Sequence, residues 1–283
     1  MTTITSLSAA EIARKIRAKE LSAREVVDAQ IRRIEEVNPL LNAVVIPLFE
    51  QARRKRMPPI RHNFGDPLGP LHGVPITIGE QFLVEGTATT FGLPSQKHHR
   101  AEEDGPLVKR LRDAGAIILG KTNVSQMLLF IESDNHLYGR TNNPWNLERT
   151  CGGSSGGEAA IIAAGGSPLG LGGDFGGSIR EPAHFCGIQG LKPTSLRLTN
   201  FDTRSDLLPR GQEVILPQPG PMARTVADLA LAMEVLAASG QDRFDPSIPP
   251  VSWPNFADVA VKSLRVAVYE DDGYFKPRLP SVG

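Results

Sequence analysis

The sequence predicts an α/β fold, a mixed β-sheet core flanked by helices. Three observations carry this reading. Short runs rich in Val and Ile, such as Val74-Pro-Ile-Thr-Ile78 and Ala116-Ile-Ile-Leu119, alternate with helical periods from Leu71 onward. Apolar residues make up 40% of the 283 and charged residues 22%, the profile of a globular protein with an ample core. Glycines crowd between Gly152 and Gly190, so an irregular segment is set into that core.

The elements follow in order. Ser8-Ala-Ala-Glu11 is a capping box, in which serine and glutamate side chains satisfy free amides at a helix start. Ser22-Ala-Arg-Glu25 is a second, followed by Val26, Val27, Ile31, Ile34 and Val37 at helical spacing. Asn38-Pro39 is expected to end that helix, because the residue before proline is pushed out of the α region. Ala43 to Ile46 fits either helix or strand. The basic run Arg53-Arg-Lys-Arg56 reads as a solvated helix end leading into a Pro/Gly-rich loop through Gly69-Pro70. Val74 to Ile78 is a strand, Pro106 to Ala114 a helix closed by Gly115, and Ala116 to Leu119 a buried strand. Ser155 to Ala164 is a buried helix, and Pro168 to Leu171 another strand candidate. Thr225-Val-Ala-Asp228 caps a helix reaching about Ala238, and Leu264 to Val268 reads as a last strand. The whole is one domain over 1–283, with a helical segment over about 1–66 and a core over about 67–283.

Composition narrows the partners. Lys plus Arg equals Asp plus Glu at 31 each, so no global field favours nucleic acid. No apolar run approaches the roughly 20 residues that cross a bilayer, and Met1-Thr-Thr-Ile-Thr-Ser6 lacks secretory-signal character. Two cysteines, Cys151 and Cys186, are too few for a disulfide framework, so a cytoplasmic setting is expected. His98-His99 lacks further ligands at metal spacing, and no metal or other cofactor is expected.

The chemistry lies in two serine-bearing glycine runs, Cys151-Gly-Gly-Ser-Ser-Gly-Gly-Glu158 and Gly172-Gly-Asp-Phe-Gly-Gly-Ser-Ile-Arg180. The first lacks the Gly-Lys-Ser/Thr ending of a P-loop, which weakens a phosphate-cradle reading. A flexible linker fits poorly, since apolar residues begin at once with Ala159. In the second, glycines before Ser178 allow consecutive amides to surround its hydroxyl, the donors a tetrahedral oxyanion needs. Ser154 and Ser178 stand 24 residues apart.

On these residues the chain resembles the amidase-signature family. The likeness extends through Leu71-His-Gly-Val-Pro-Ile-Thr-Ile78, Ala114-Gly-Ala-Ile-Ile-Leu-Gly-Lys-Thr-Asn123, Tyr138-Gly-Arg-Thr-Asn-Asn-Pro-Trp145, Gly190-Leu-Lys-Pro-Thr194 and Gly220-Pro-Met-Ala-Arg224. Glu132 to Tyr138 looks most like the fatty-acid-amide-hydrolase branch. The resemblance implies a Ser–Ser–Lys serine hydrolase of carboxylic amides. Ser178 matches the nucleophile, and Ser154 the bridging serine, which in the family follows a cis peptide bond. Phe175, Gly176, Gly177 and Ser178 match the oxyanion amides, and Ser155, Asp174 and Arg180 supporting positions.

The resemblance also exposes departures. The family lysine should follow Val-Pro-Ile-Thr-Ile, yet the sequence reads Ile78-Gly79-Glu80-Gln81. Glu80 is expected to face the opposite side, and Lys97, Lys109 and Lys121 to be exposed or structural. Glu181 stands where many relatives carry an apolar residue, and the chain is expected to be truncated at its C-terminal end. His184 is expected to be structural, and the cysteines buried packing groups. Loss of a general base costs roughly 10²–10⁴-fold, so weak amidase activity at most is expected. The alternatives are a non-catalytic amide binder, a decayed homologue, or the amidase component of a glutamine-dependent amidotransferase. A small amide substrate and association into a homo-oligomer are the expected partners.

Overall fold

The computed structural model describes residues 3–54, 69–204, 207, 217–251, 253–254 and 258–267. The chain forms two compact units, Met1–Trp253 and Pro254–Gly283. Lys55, Arg56, the loop before Gly69, and everything from Val268 on lie outside the described residues.

Both capping boxes form as the sequence predicts. Ser8 starts α1 (Ala9–Arg17) and Ser22 starts α2 (Ala23–Leu41), each accepting from its glutamate's amide while that glutamate returns the bond. Asn38-Pro39 does not end α2, contrary to the prediction: the helix continues to Leu41 with Pro39 inside it. In the last turn proline forfeits a single intrahelical bond. The chain leaves instead through Asn42 at φ 50°, whose N–H reaches the Asn38 carbonyl at 2.7 Å. Asn38 Oδ1 meanwhile accepts from Ala43 and Val44, both at 2.8 Å. Val44–Pro47 is strand β1, and α3 spans Phe49–Arg54.

The core sheet then assembles from β2 (Pro75–Gly79), β3 (Ile117–Thr122), β6 (Leu169–Asp174), β7 (Gln189–Gly190) and β8 (Gln218–Ala223), with β1 at one edge. Its order is β1-β3-β2-β6-β8-β7. β3, β2 and β6 run parallel and the remaining pairs antiparallel, so the predicted mixed sheet is what forms. β4 (Asn142–Asn143) and β5 (Asn146–Thr150) make a separate hairpin. The predicted helices at Pro106, Ser155 and Thr225 appear as α4 (Pro106–Asp113), α5 (Gly156–Ala163) and α7 (Val226–Leu236). Thr225 accepts from the Asp228 amide as its motif implies.

Strand β8 was not predicted. Pro219 and Pro221 sit within it, and proline donates nothing to a ladder. Pro221 turns its carbonyl to the Leu191 amide, on the side of the two-residue β7. Gly220 between the prolines faces β6, so the missing donors fall on the short edge. Helix α6 (Arg180–Cys186) was likewise unpredicted. The predicted strand Leu264–Val268 is overturned for its described part: residues 264–267 follow a 3₁₀ turn at Val261–Ser263 and join no sheet. A strand needs a partner for its amides, and the alternation at Leu264 finds none among the described residues.

The core lies between sheet and helices, with Ile76, Ile78, Leu119, Ile161 and Leu171 all buried. Arg224 closes the N-terminus onto it, donating to the carbonyls of Thr5, Leu7, Ile162 and Ser167. Among the described residues no helix is long and apolar enough to cross a membrane.

Candidate active site

Two neighbouring parallel strands deliver the site. β2 and β6 pair at Ile78 and Leu171, so their carboxyl ends open side by side. Such ends of parallel strands are where α/β sheets place ligands. β2 ends at Gly79 and is followed by Glu80 and Gln81; beyond β6 comes Phe175 to Ser178. Between these ends lies a cleft lined by Gln81, Phe82, Leu128, Ser154, Phe175 and Ser178 among others.

The structure brings the two predicted serines to this one cleft. Ser154 is buried, follows a cis peptide bond from Gly153, and starts the loop into α5. Its carbonyl accepts from Ser133 Oγ at 2.9 Å and the Ser125 amide at 3.3 Å. Ser133 Oγ also accepts the Gly156 amide at 2.8 Å, which fixes the start of that helix. Ser155 ties the loops together: its N–H reaches the Ser178 carbonyl at 3.1 Å, and its hydroxyl lies 3.2 Å from both N and O of Gly173. Ser178 is half-buried.

Asp174 shapes the turn that presents Ser178. Its carboxylate accepts from the amides of Gly177, Ile179 and Arg180 at 2.9, 3.1 and 3.3 Å, and from two guanidinium nitrogens of Arg180 at 2.9 Å. Burial works to raise this carboxyl's pKa, but the Arg180 guanidinium and the backbone donors outweigh it and hold it below the ordinary value. Gly177 takes φ 122°, a conformation glycine allows. The Gly177 amide is thereby engaged, whereas the amides of Phe175, Gly176 and Ser178 meet no protein acceptor among the described residues. Gly176 stands in open space.

The other side of the cleft is unlike this. Gly79 ends β2 opposite Thr122 of β3 and contributes no side chain. Glu80 turns away: it accepts from Thr90 N and Oγ1 at 2.7 Å and from Phe91 N at 3.0 Å. Its carboxyl is raised chiefly by burial, against the pull of Lys121. Lys121 is fully buried and lowered by burial, but its ammonium donates to the Ala88 carbonyl and to Thr89 Oγ1 and does not line the cleft. Lys121 is thus a structural group, though not an exposed one. Lys97 and Lys109 are exposed.

Gln81 is the residue that sequence reasoning passed over. It is 1% exposed, and neither Oε1 nor Nε2 has a hydrogen-bond partner among the described residues. Only its polarity directly after an apolar strand signalled it. Glu181, the departure noted above, holds the Gly153 amide through Oε2 at 2.9 Å. Cys151 and Cys186 are free and buried, and burial pushes the Cys151 thiol up to about 12. His184 is exposed beside Phe185. Among the described residues no group of three or more His, Cys, Asp or Glu is placed to hold a metal.

Comparison with known proteins identifies the family. The family model for amidases matches residues 25–281. Fatty-acid amide hydrolase 2-B of Danio rerio is 41% identical over 283 residues, covering 95% of this chain and 50% of that protein. The acylamidase of Rhodococcus erythropolis is 40% identical over 265 residues, covering 92% and 54%. A solved fatty acid amide hydrolase superposes with a TM-score of 0.82 at 35% identity, over 89% of this chain and 44% of that one. A glutamyl-tRNA(Gln) amidotransferase component from Thermotoga maritima gives 0.73 at 27% identity, over 90% and 51%. The chain spans about half the length of the curated relatives it matches. It belongs to the amidase family and shares the amidase-signature fold.

Proposed function

We propose that this chain carries the nucleophile half of an amide hydrolase, with Ser178 as nucleophile and Ser154 as proton relay. One observation carries the reading: two serines from separate glycine-rich loops line one cleft, and the Ser155-to-Ser178 backbone bond holds those loops together. In this reading Ser178 Oγ attacks the amide carbonyl and its proton passes to Ser154. The new oxyanion is met by the unengaged amides of Phe175, Gly176 and Ser178. The carbon–nitrogen bond then breaks as the leaving amine takes up a proton, and water later releases the acyl group. The relay needs a base at the end of β2, and Gly79 supplies none. Turnover is therefore impaired in the chain as it stands.

A second reading, a binder of amides without turnover, is favoured by Gly79 and by the unpaired amide of Gln81 in the same cleft. A role in hydrolysing glutamine for a larger complex rests on the likeness to the amidotransferase component and would require partner proteins.

The test compares hydrolysis of amides and esters by the chain, by Gly79→Lys, and by Gly79→Lys with Gln81→Ala, using Ser178→Ala as blank. A Cβ at position 79 would lie 2.6 Å from Gln81 Oε1, so the lysine needs that amide to move. The double variant should gain about 10²-fold or more over the chain itself, all of it dependent on Ser178. Failure of every version to hydrolyse or to be acylated at Ser178 sinks the hydrolase reading.

A further inference from the structure

We infer that Gln81 is the anchor for a carboxamide ligand, pairing its own side-chain amide with the C=O and N–H of the bound amide. The inference rests on the amide-directed reading of the cleft and adds the residue that recognises the group. A side-chain carboxamide offers two N–H donors and an acceptor oxygen. In Gln81 none of these is used by the described protein, although the residue is 1% exposed and both polar atoms are shut off from solvent. Buried polar groups are ordinarily paired, and an unpaired one forfeits its hydration with nothing in return. Such a group at a cleft wall marks a place where a ligand completes the bonding.

Its position has a cause in the sequence. Gly79 leaves the space above the end of β2 empty, and the Gln81 carboxamide fills it. Oε1, Cδ and Nε2 lie 2.6, 3.1 and 3.2 Å from where a Cβ on Gly79 would be. The same Nε2 is 3.1 Å from a Cβ placed on Gly173. The amide is thus wedged between the ends of β2 and β6, in the cleft that Ser154 and Ser178 also line. Phe82, Leu128, Leu129 and Phe175 supply much of the apolar lining, beside the polar Asn200, Thr203 and Gln218. A carboxamide is complementary to another carboxamide, donor to acceptor and acceptor to donor. A ketone of the same shape offers only the acceptor.

The test needs no change to the protein at first. Binding of hexanamide and of 2-heptanone, in which a methyl replaces the NH₂, is measured by calorimetric or NMR titration of the full chain. Hexanamide should bind about tenfold more tightly, the effect of one satisfied amide pair. In Gln81→Met, which keeps the volume and removes the polar atoms, the preference should vanish while the ketone binds at least as well. Without ligand, that variant should melt no lower than the parent, because it removes an unpaired amide. Equal binding of amide and ketone to the parent overturns the inference, as does a preference that survives in Gln81→Met or no binding of either probe. Acylation of Ser178 by a fluorophosphonate is read separately. A Gln81-dependent preference without that labelling leaves the anchor standing and removes the hydrolase, and labelling without the preference does the reverse.

Discussion

The two walls of the cleft differ in how completely their polar groups are paired. On the serine wall, Asp174 gathers three backbone amides and a guanidinium, Ser155 bridges Gly173 and Ser178, and Ser133 fixes Ser154. On the wall at the end of β2, Gly79 carries no side chain, and Gln81 leaves both of its polar atoms unpaired among the described residues. A position for a reacting hydroxyl is held by a dense network that survives independently of what faces it. A proton acceptor, by contrast, is a single side chain, and its loss alters little else. On the hydrolase reading proposed above, this contrast would let the serine loops persist without a base on the facing wall.

The comparison breaks most readily at Asp174. Replacing it by alanine strands the amides of Gly177, Ile179 and Arg180 and should cost about 3 kcal/mol in urea unfolding. Because this carboxyl is held below its ordinary value, its contribution is present above the unfolded pKa of about 3.9. It is lost as the pH falls through the lowered folded value, so parent and Asp174→Ala should converge in acid. A loss under about 1 kcal/mol at neutral pH would mean that the serine wall does not depend on this carboxylate.

A smaller effect comes from the group that joins the walls from beneath. Glu158 on α5, the helix that starts from the Ser154 loop, accepts from Thr122 Oγ1 at 2.8 Å and from Thr77 Oγ1, so it reaches both β3 and β2. Burial pushes its carboxyl up to about 8, against the two hydroxyls that lower it. The unfolded chain releases this proton first, near 4.5, so stability falls as the pH rises from there to about 8. Asp202, pushed up to about 7 by burial, adds the same sign. Glu158→Gln should flatten part of the decline in melting temperature between pH 5 and pH 8. An unchanged slope would place the ionisation of Glu158 elsewhere.

What the sequence disclosed divides along the same physical line. Features written in neighbouring residues were legible: both capping boxes, the strand before Gly79, the buried helix after Ser155, and the two serine loops. Features made by distant residues were not. Asp202 accepts from the amides of Leu107 and Val108 and so caps α4 from about a hundred residues away. β8 depends on which edge receives its prolines, and Lys121 is buried because the loop of Ala88 and Thr89 folds over it. Gln81 belongs to this second class. Nothing in Gly79-Glu-Gln81 says which of the two polar residues will find donors, and Glu80 takes those of Thr90 and Phe91.

The smallest effect is a calibration away from the cleft. Ser22 Oγ accepts the Glu25 amide at 3.2 Å while Glu25 returns to the Ser22 amide at 2.8 Å, on an exposed helix start. Ser22→Ala should cost about 1 kcal/mol, the usual worth of an N-cap, with water replacing the lost acceptor. Since α2 meets the cleft only through the core, the variant should keep hexanamide affinity and Ser178 labelling within twofold of the parent. A larger change in either would show that the serine wall responds to general loosening of the fold. The effects of Asp174→Ala could then no longer be ascribed to the turn it holds.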